Sequence, residues 1–311
     1  MRAVVVDPNQ PDRLTLQEVA PPTPVPTEAL VRVSSISLNL GEVRNAMTAA
    51  AGARPGWDLA GTVERAAASG SGPAVGTRVV GLLASGAWAE QVAVPTNSLA
   101  KLPDNVSFAQ AATLPVAGLT AWHAVGRGTG LLARTVLVTG ASGGVGLFAC
   151  QLAHLAGAHV VALIRQAGYT DLVKNTGADE VVVSEDGAAA RPYGPYRLII
   201  ESVGGQVFAN VLGMLGPDGV CVSFGASSGA EVTFNVTSLF RAGRASLYGL
   251  AVFNELAREP AYIGLERLAY LVATGRLRPQ ISVEAPWSQI GATARQLLDR
   301  RIPGKAVLHI E

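Results

Sequence analysis

Cysteine is nearly absent from this 311-residue chain: Cys150 and Cys221 are the only two. They exclude a disulfide framework and a four-cysteine zinc lobe. Histidine is also scarce, and none precedes His123. The first third therefore offers no Cys or His ligand for a catalytic zinc. Charged residues are only 15%, the formal net charge is +1, and like charges form no run. That excludes a basic footprint for nucleic acid or for an anionic membrane surface. No apolar stretch reaches the ~18 residues of a membrane span. The opening MRAVVVDPNQ lacks the apolar region of a secretory signal. What remains is an apolar chain, 49% hydrophobic, about twice the length of a ~150-residue domain. The expectation is a soluble, cytoplasmic α/β protein of two domains.

Short β-rich segments fill the first hundred residues: LVRV (30–33), GTVE (61–64), TRVVGLL (77–83) and AEQVAV (89–94). Prolines 21, 22, 24 and 26 and the loop ASGSGPAVG (68–76) punctuate them. This predicts a compact β-barrel-like unit. Near residue 105 the rhythm changes. Ser107 is placed to cap a helix through FAQAATLPVAGLTAWHAV, which Pro115 should kink. Apolar strands then alternate with helical segments: 135–139, 159–164, 180–183, 196–202, 219–224 and 246–253. Near-continuous Val, Ile and Leu runs suit parallel strands covered on both faces. Six of them describe a doubly wound dinucleotide-binding sheet. Beyond about 254 the chain reads as helical, and its final AVLHI (306–310) reads as a strand returning to the first domain.

The most informative stretch is VLVTG-ASGGVG-LFACQLAHLAGA, residues 136–158. A strand enters Gly140-Ala141-Ser142-Gly143-Gly144-Val145-Gly146 and a helix leaves it. Glycines let the backbone approach a pyrophosphate, and the helix N-terminus offers free N–H groups and partial positive charge. Two rivals share these letters. Gly140 to Gly144 also spells G-x-S-x-G, an ester-hydrolase elbow with Ser142 as nucleophile. The second strand, ending at Ile164-Arg165 where a dinucleotide fold reads the ribose, argues against it. The same run resembles a short-chain dehydrogenase signature, but the Tyr-x-x-x-Lys pair of that family is missing. After the second strand no acid appears before Asp171. Arg165 stands where NAD enzymes place a ribose-binding carboxylate, which points to NADPH.

Here the residues resemble a family, the zinc-independent quinone oxidoreductase (ζ-crystallin-like) branch of the medium-chain dehydrogenase/reductases. The resemblance covers nearly the whole chain. It rests on Leu38-Asn39, on Pro55-Gly56-Trp57-Asp58-Leu59-Ala60-Gly61-Thr62-Val63 and on Gly76-Thr77-Arg78-Val79. It continues through Ala117-Gly118-Leu119-Thr120-Ala121, the 141–146 loop, Glu201-Ser202-Val203-Gly204 and Val222 to Gly229. It implies a GroES-like β-barrel domain over 1–108, completed by 255–311. A Rossmann domain over 109–254 would hold NADPH in the cleft between the two. Asn39 and Thr120 would lie near the nicotinamide, and Ser142, Gly143, Gly144, Val145 and Gly146 at the pyrophosphate. Val203, Phe224 and Gly225 would line the cofactor channel, and Lys305 would reach the cofactor from the C-terminal segment. Two departures stand out. Tyr169 occupies the place of a lysine that helps hold the 2′-phosphate in relatives. The loop after Asn39 carries Arg44 and Met47-Thr48-Ala49-Ala50-Ala51 but no tyrosine, which implies a different substrate pocket.

Without a metal, the expected reaction is conjugate reduction of a quinone or α,β-unsaturated carbonyl, whose developing enolate needs hydrogen bonds or a positive charge. Backbone N–H groups, the Asn39 amide and the Arg44 guanidinium are the candidate donors, with solvent supplying the final proton. The alternative is an NADPH-binding protein without turnover. Segment 246–253 (SLYGLAVF) would be the outermost strand on its side. An apolar edge favours pairing with a second copy, and related reductases pair in this way, so a homodimer is expected.

Overall fold

The computed structural model describes residues 1–311. The chain divides into two compact units, one of residues 1–119 with 256–311 and one of residues 120–255. No helix is long and apolar enough to cross a membrane.

The first unit is built on a seven-stranded mixed sheet. Its strands run in the order Ile281–Pro286, Lys305–His309, Glu28–Leu38, Asp58–Arg65, Arg78–Leu82 and Leu99–Lys101, and Gln91–Pro95 also pairs with Glu28–Leu38. Arg2–Val6 and Leu14–Glu18 form a separate antiparallel ribbon. The long strand Glu28–Leu38 alternates between its faces, burying Val31, Val33 and Ile36 in a core with Leu59, Trp88 and Trp287. The C-terminal strand does return to this unit: Ala306 pairs with Leu38 and Val307 with Ser37. On the other side Ser37 pairs with Asp58. Antiparallel register thus brings residues near 37, 58 and 305 together.

Ser107 caps its helix as its position predicts. Its Oγ accepts the Gln110 N–H at 3.1 Å while the Gln110 side chain accepts the Ser107 N–H at 3.0 Å. The helix is only Phe108–Ala112, because Pro115 lies in a wide π-type turn, Leu114–Gly118, before Leu119–Gly126 resumes α geometry. Proline lacks an N–H and clashes with the preceding turn. The distortion leaves the Val116 N–H free to donate to Asp58 Oδ1 at 2.9 Å.

The second unit is a six-stranded, wholly parallel sheet. Numbered along the unit, its strands Thr135–Thr139, His159–Ile164, Glu180–Val183, Tyr196–Glu201, Leu215–Ser223 and Ser246–Gly249 lie in the order 3-2-1-4-5-6. This is the doubly wound arrangement expected from sequence. Its switch point falls between Thr135–Thr139 and Tyr196–Glu201, where such sheets bind ligands beyond the carboxyl ends. The last strand is shorter than expected. The apolar run 246–253 is extended only over Ser246–Gly249, and Val252–Glu255 is a helical turn. The Arg127 guanidinium explains this. It pairs with Glu255 at 2.5 Å and lies 4.1 Å from the centre of the Tyr248 ring. The Tyr248 hydroxyl also donates to Glu255. This latch draws residue 255 back over the strand.

Candidate functional site

In the second unit the loop after the first strand is shaped by three glycines with different tasks. Gly140 has φ +57, and a Cβ there would stand 2.6 Å from Ser202 Oγ, so the turn needs glycine for conformation and for space. A Cβ on Gly146 would lie 2.5 Å from the Gly140 oxygen and 2.7 Å from Ala141 Cα, so the helix start can press on the loop only without a side chain. At Gly143 the nearest atom would be the Gly140 oxygen at 3.3 Å, and that face is otherwise open. The helix Gly144–Leu155 begins without a side-chain cap. Its first N–H groups and positive end therefore face the half-exposed residues Ser142, Gly143, Gly144 and Val145. An uncapped, sterically open helix start with room for close backbone approach suits a pyrophosphate.

The neighbouring loops are laced to this one. The Ser202 N–H donates to Thr139 Oγ1 at 3.0 Å, and Ser202 Oγ donates to the Thr139 carbonyl at 3.2 Å. Buried Glu201 accepts the N–H groups of Val203 at 2.7 Å and Gly204 at 2.9 Å. Burial pushes its carboxyl above the ordinary glutamate range, and those N–H groups oppose the shift. The Phe224 N–H donates to the Glu201 carbonyl at 3.0 Å and the Ser228 N–H to the Val203 carbonyl at 2.7 Å. Val203, Phe224 and Gly225, all half-exposed, thus gather at the same carboxyl edge as the glycine loop. Arg165 follows the second strand directly, exposed and without a hydrogen bond or ion pair, and half-buried Tyr169 ends the turn Ala167–Tyr169. A guanidinium with no protein partner is available to a phosphate. Thr120 is buried on the helix Leu119–Gly126.

In the first unit the sequence candidates Asn39 and Lys305 meet in a buried polar cluster. Lys305 is 2% exposed. Its Nζ donates to the Leu38 carbonyl at 2.9 Å, to Asn39 Oδ1 at 2.6 Å and to Asp58 Oδ2 at 3.4 Å. Asn39 Nδ2 donates to Asp58 Oδ2 at 2.7 Å and to Glu42 Oε1 at 2.9 Å. Ser37 Oγ also donates to Asp58 Oδ2 at 2.7 Å. Glu42, at the third position of the helix Leu40–Thr48, accepts the backbone N–H groups of Asn39 and Trp57, each at 2.6 Å. Burial, and then the charge of Asp58, raise the Glu42 carboxyl well above its ordinary range, while Lys305 and the Asn39 donors oppose this.

Lys305 is buried, and its ammonium has three protein acceptors within 3.4 Å. Both Asn39 amide hydrogens are likewise engaged, one by Asp58 and one by Glu42. Arg44 remains exposed on the helix Leu40–Thr48. Glu42, Asp58 and Ser37 were absent from the sequence candidates. The N-x-x-E spacing of Asn39 and Glu42 was the available signal for the first. Asp58, inside the 55–63 motif, had no local one.

The chain matches two family models, the alcohol dehydrogenase GroES-like domain over residues 25–104 and the zinc-binding dehydrogenase over residues 144–266. It is 31% identical to a chloroplast envelope quinone oxidoreductase homolog of Arabidopsis thaliana, covering 94% of this chain and 92% of that one. It is 29% identical to a quinone oxidoreductase of Pseudomonas aeruginosa, covering 96% of each. Among solved structures it superposes on the Escherichia coli quinone oxidoreductase complexed with NADPH with a TM-score of 0.89 at 25% identity, covering 99% of this chain and 100% of that one. A mycobacterial protein complexed with NADPH gives 0.88 at 27%, with the same coverage.

Zinc, which one of those models is named for, does not fit the residues present. No group of three or more His, Cys, Asp or Glu side chains is placed to hold a metal. Cys150 and Cys221 are buried. Burial pushes the Cys150 thiol up to about 12 and that of Cys221 still higher, the opposite of what a thiolate ligand needs.

Proposed function

Because the chain belongs to the quinone oxidoreductase branch of the medium-chain dehydrogenase/reductase superfamily, we propose that it is an NADPH-dependent oxidoreductase acting on a small quinone or α,β-unsaturated carbonyl without a metal. The observation that carries this reading is the open, uncapped glycine loop at the switch point, with unpartnered Arg165 beyond the adjoining strand. Bound NADPH supplies the hydride. Ser142 to Gly146 hold the pyrophosphate through backbone N–H groups and the helix dipole. Arg165 takes the 2′-phosphate beside Tyr169. Val203, Phe224 and Gly225 would line the nicotinamide side, and the family resemblance assigns Thr120 and Asn39 to its ring. With no free hydrogen on its amide, Asn39 can act only as an acceptor, through the second lone pair of Oδ1. Arg44 is the cationic group that stabilises the substrate's developing negative charge. Glu42 is ringed by N–H donors and buried, so the final proton comes from solvent.

We further propose that two chains pair through the edge strand Ser246–Gly249. Leu247 is 46% exposed there, and Val236 (51%) and Phe240 (73%) are exposed in the segment leading to it. The test of function is anaerobic incubation with NADPH and a panel of small quinones and enones. Loss of the nucleotide in one-to-one proportion to reduced acceptor is expected. Tight nucleotide binding without turnover of any acceptor would instead favour a binding protein.

A further inference from the structure

The ammonium of Lys305 lies at the centre of the first unit's buried cluster, and every hydrogen it carries is aimed at protein. Its 2.6 Å bond to Asn39 Oδ1 is its shortest. The carbonyl of Leu38, the residue before Asn39, takes another. On the far side of the same amide, Asp58 and Glu42 each take one Nδ2 hydrogen. An asparagine amide left to itself can turn over, exchanging its donor and acceptor ends. Here the swap would set Nδ2 against an ammonium and Oδ1 against the Asp58 carboxylate and the Glu42 carboxyl. Charge on both sides therefore fixes one orientation, with Oδ1 toward Lys305.

We propose that Lys305 is a positioning residue that acts through Asn39, polarising and orienting its Oδ1 as an acceptor, and that it does not itself touch the cofactor. The proposal rests on the functional reading above only in taking Asn39 as the residue facing the cofactor. Asp58 is the second half of the device. It balances the Lys305 charge at 3.4 Å, and it is anchored from two other elements by Ser37 Oγ and the Val116 N–H. The amide thus rests on three strands and the π-type turn.

Two measurements test this. The first needs no cofactor: hydrogen exchange of the Asn39 side-chain amide, followed by NMR on asparagine-labelled protein and identified by its loss in Asn39→Ala. Protected, slowly exchanging Nδ2 hydrogens are expected in the wild type, and exchange at least ten-fold faster in Lys305→Met. Equal exchange in the two proteins overturns the proposal. The second is a double-mutant cycle on NADPH affinity. Lys305→Met and Asn39→Ala should each weaken binding about five- to ten-fold, and the double variant should be no weaker than the worse single one. Fold-changes that multiply would mean that Lys305 acts independently of Asn39, and would overturn it. Lys305→Met leaves Asp58 buried without its counter-charge. If it does not fold, Lys305→Met with Asp58→Asn removes both charges and is read by the same exchange experiment, with the same faster and equal outcomes. Failure of the wild type to bind NADPH contradicts the functional proposal alone, because the exchange experiment still decides this one.

Discussion

Alanine at Gly146 and alanine at Gly143 should separate the fold of the glycine loop from its binding surface. A Cβ at Gly146 would lie 2.5 Å from the Gly140 oxygen, 2.7 Å from Ala141 Cα and 2.9 Å from the Ala141 carbonyl carbon. All three are backbone atoms, so no side chain can rotate away and the helix must shift off the loop. Overpacking of this kind costs about 1–3 kcal/mol. At roughly 2–4 °C per kcal/mol for a protein of this size, the melting temperature should fall by about 2–12 °C. At Gly143 the backbone is already extended, with φ −84 and ψ 170. An added Cβ would meet only the Gly140 oxygen, at 3.3 Å. Gly143→Ala should therefore cost less than Gly146→Ala, about 1 kcal/mol at most. The same methyl projects into the space assigned to the pyrophosphate, where a loss of about 1.4 kcal/mol is ten-fold in affinity. Calorimetric melting of the unliganded variants and fluorescence titration with NADPH read the two effects. A Gly143→Ala protein that binds like the wild type, or a Gly146→Ala protein that melts like it, would refute the reasoning.

Three further outcomes follow from the geometry. Cys150 and Cys221 should resist thiol reagents at mildly alkaline pH in the native protein and react after denaturation, and elemental analysis should find no stoichiometric zinc. Rapid native-state labelling would contradict the burial. Glu201 carries a raised carboxyl pKa, so the unfolded state loses that proton first and stability falls as pH rises from the ordinary glutamate range through the folded value. Melting curves of wild type and Glu201→Gln should therefore diverge over that window, with the glutamine protein the less pH-sensitive; parallel curves would contradict it. Light scattering should give twice the mass of one chain, and Leu247→Lys should shift the population toward monomer; a wild type that stays monomeric at micromolar concentration would contradict edge pairing.

The parallel sheet was the legible part of this fold. Thr135–Thr139, His159–Ile164 and Glu180–Val183 match their sequence-read bounds, because a strand covered on both faces must be apolar along its length. The fifth strand starts earlier than read, at Leu215, because Pro217-Asp218-Gly219 looks like a turn but lies within a strand with an irregular register. The sixth is half as long as read. At an edge only one neighbour supplies a ladder, and the Arg127–Glu255–Tyr248 latch outweighs the β propensity of Val252 and Phe253. The glycine loop was equally legible, since its signal is local. The Asn39 cluster was not. Lys305 and Asp58 lie 247 residues apart, and only the antiparallel register of three strands makes them neighbours. Sequence reading reached Lys305 through resemblance, and the Leu38, Asn39 and Asp58 partners of its ammonium had no local signal.

NADPH binding by the glycine loop together with Arg165 underlies everything proposed for the second unit. Calorimetric titration of the wild type with NADPH and NADH, repeated on Arg165→Ala, tests it most directly. A charge-assisted phosphate contact is worth about 1.5–3 kcal/mol. One NADPH per chain is expected, with NADH weaker by ten-fold or more and Arg165→Ala losing that preference while keeping its affinity for NADH. Equal affinity of the wild type for both nucleotides, or no binding of either, would contradict it.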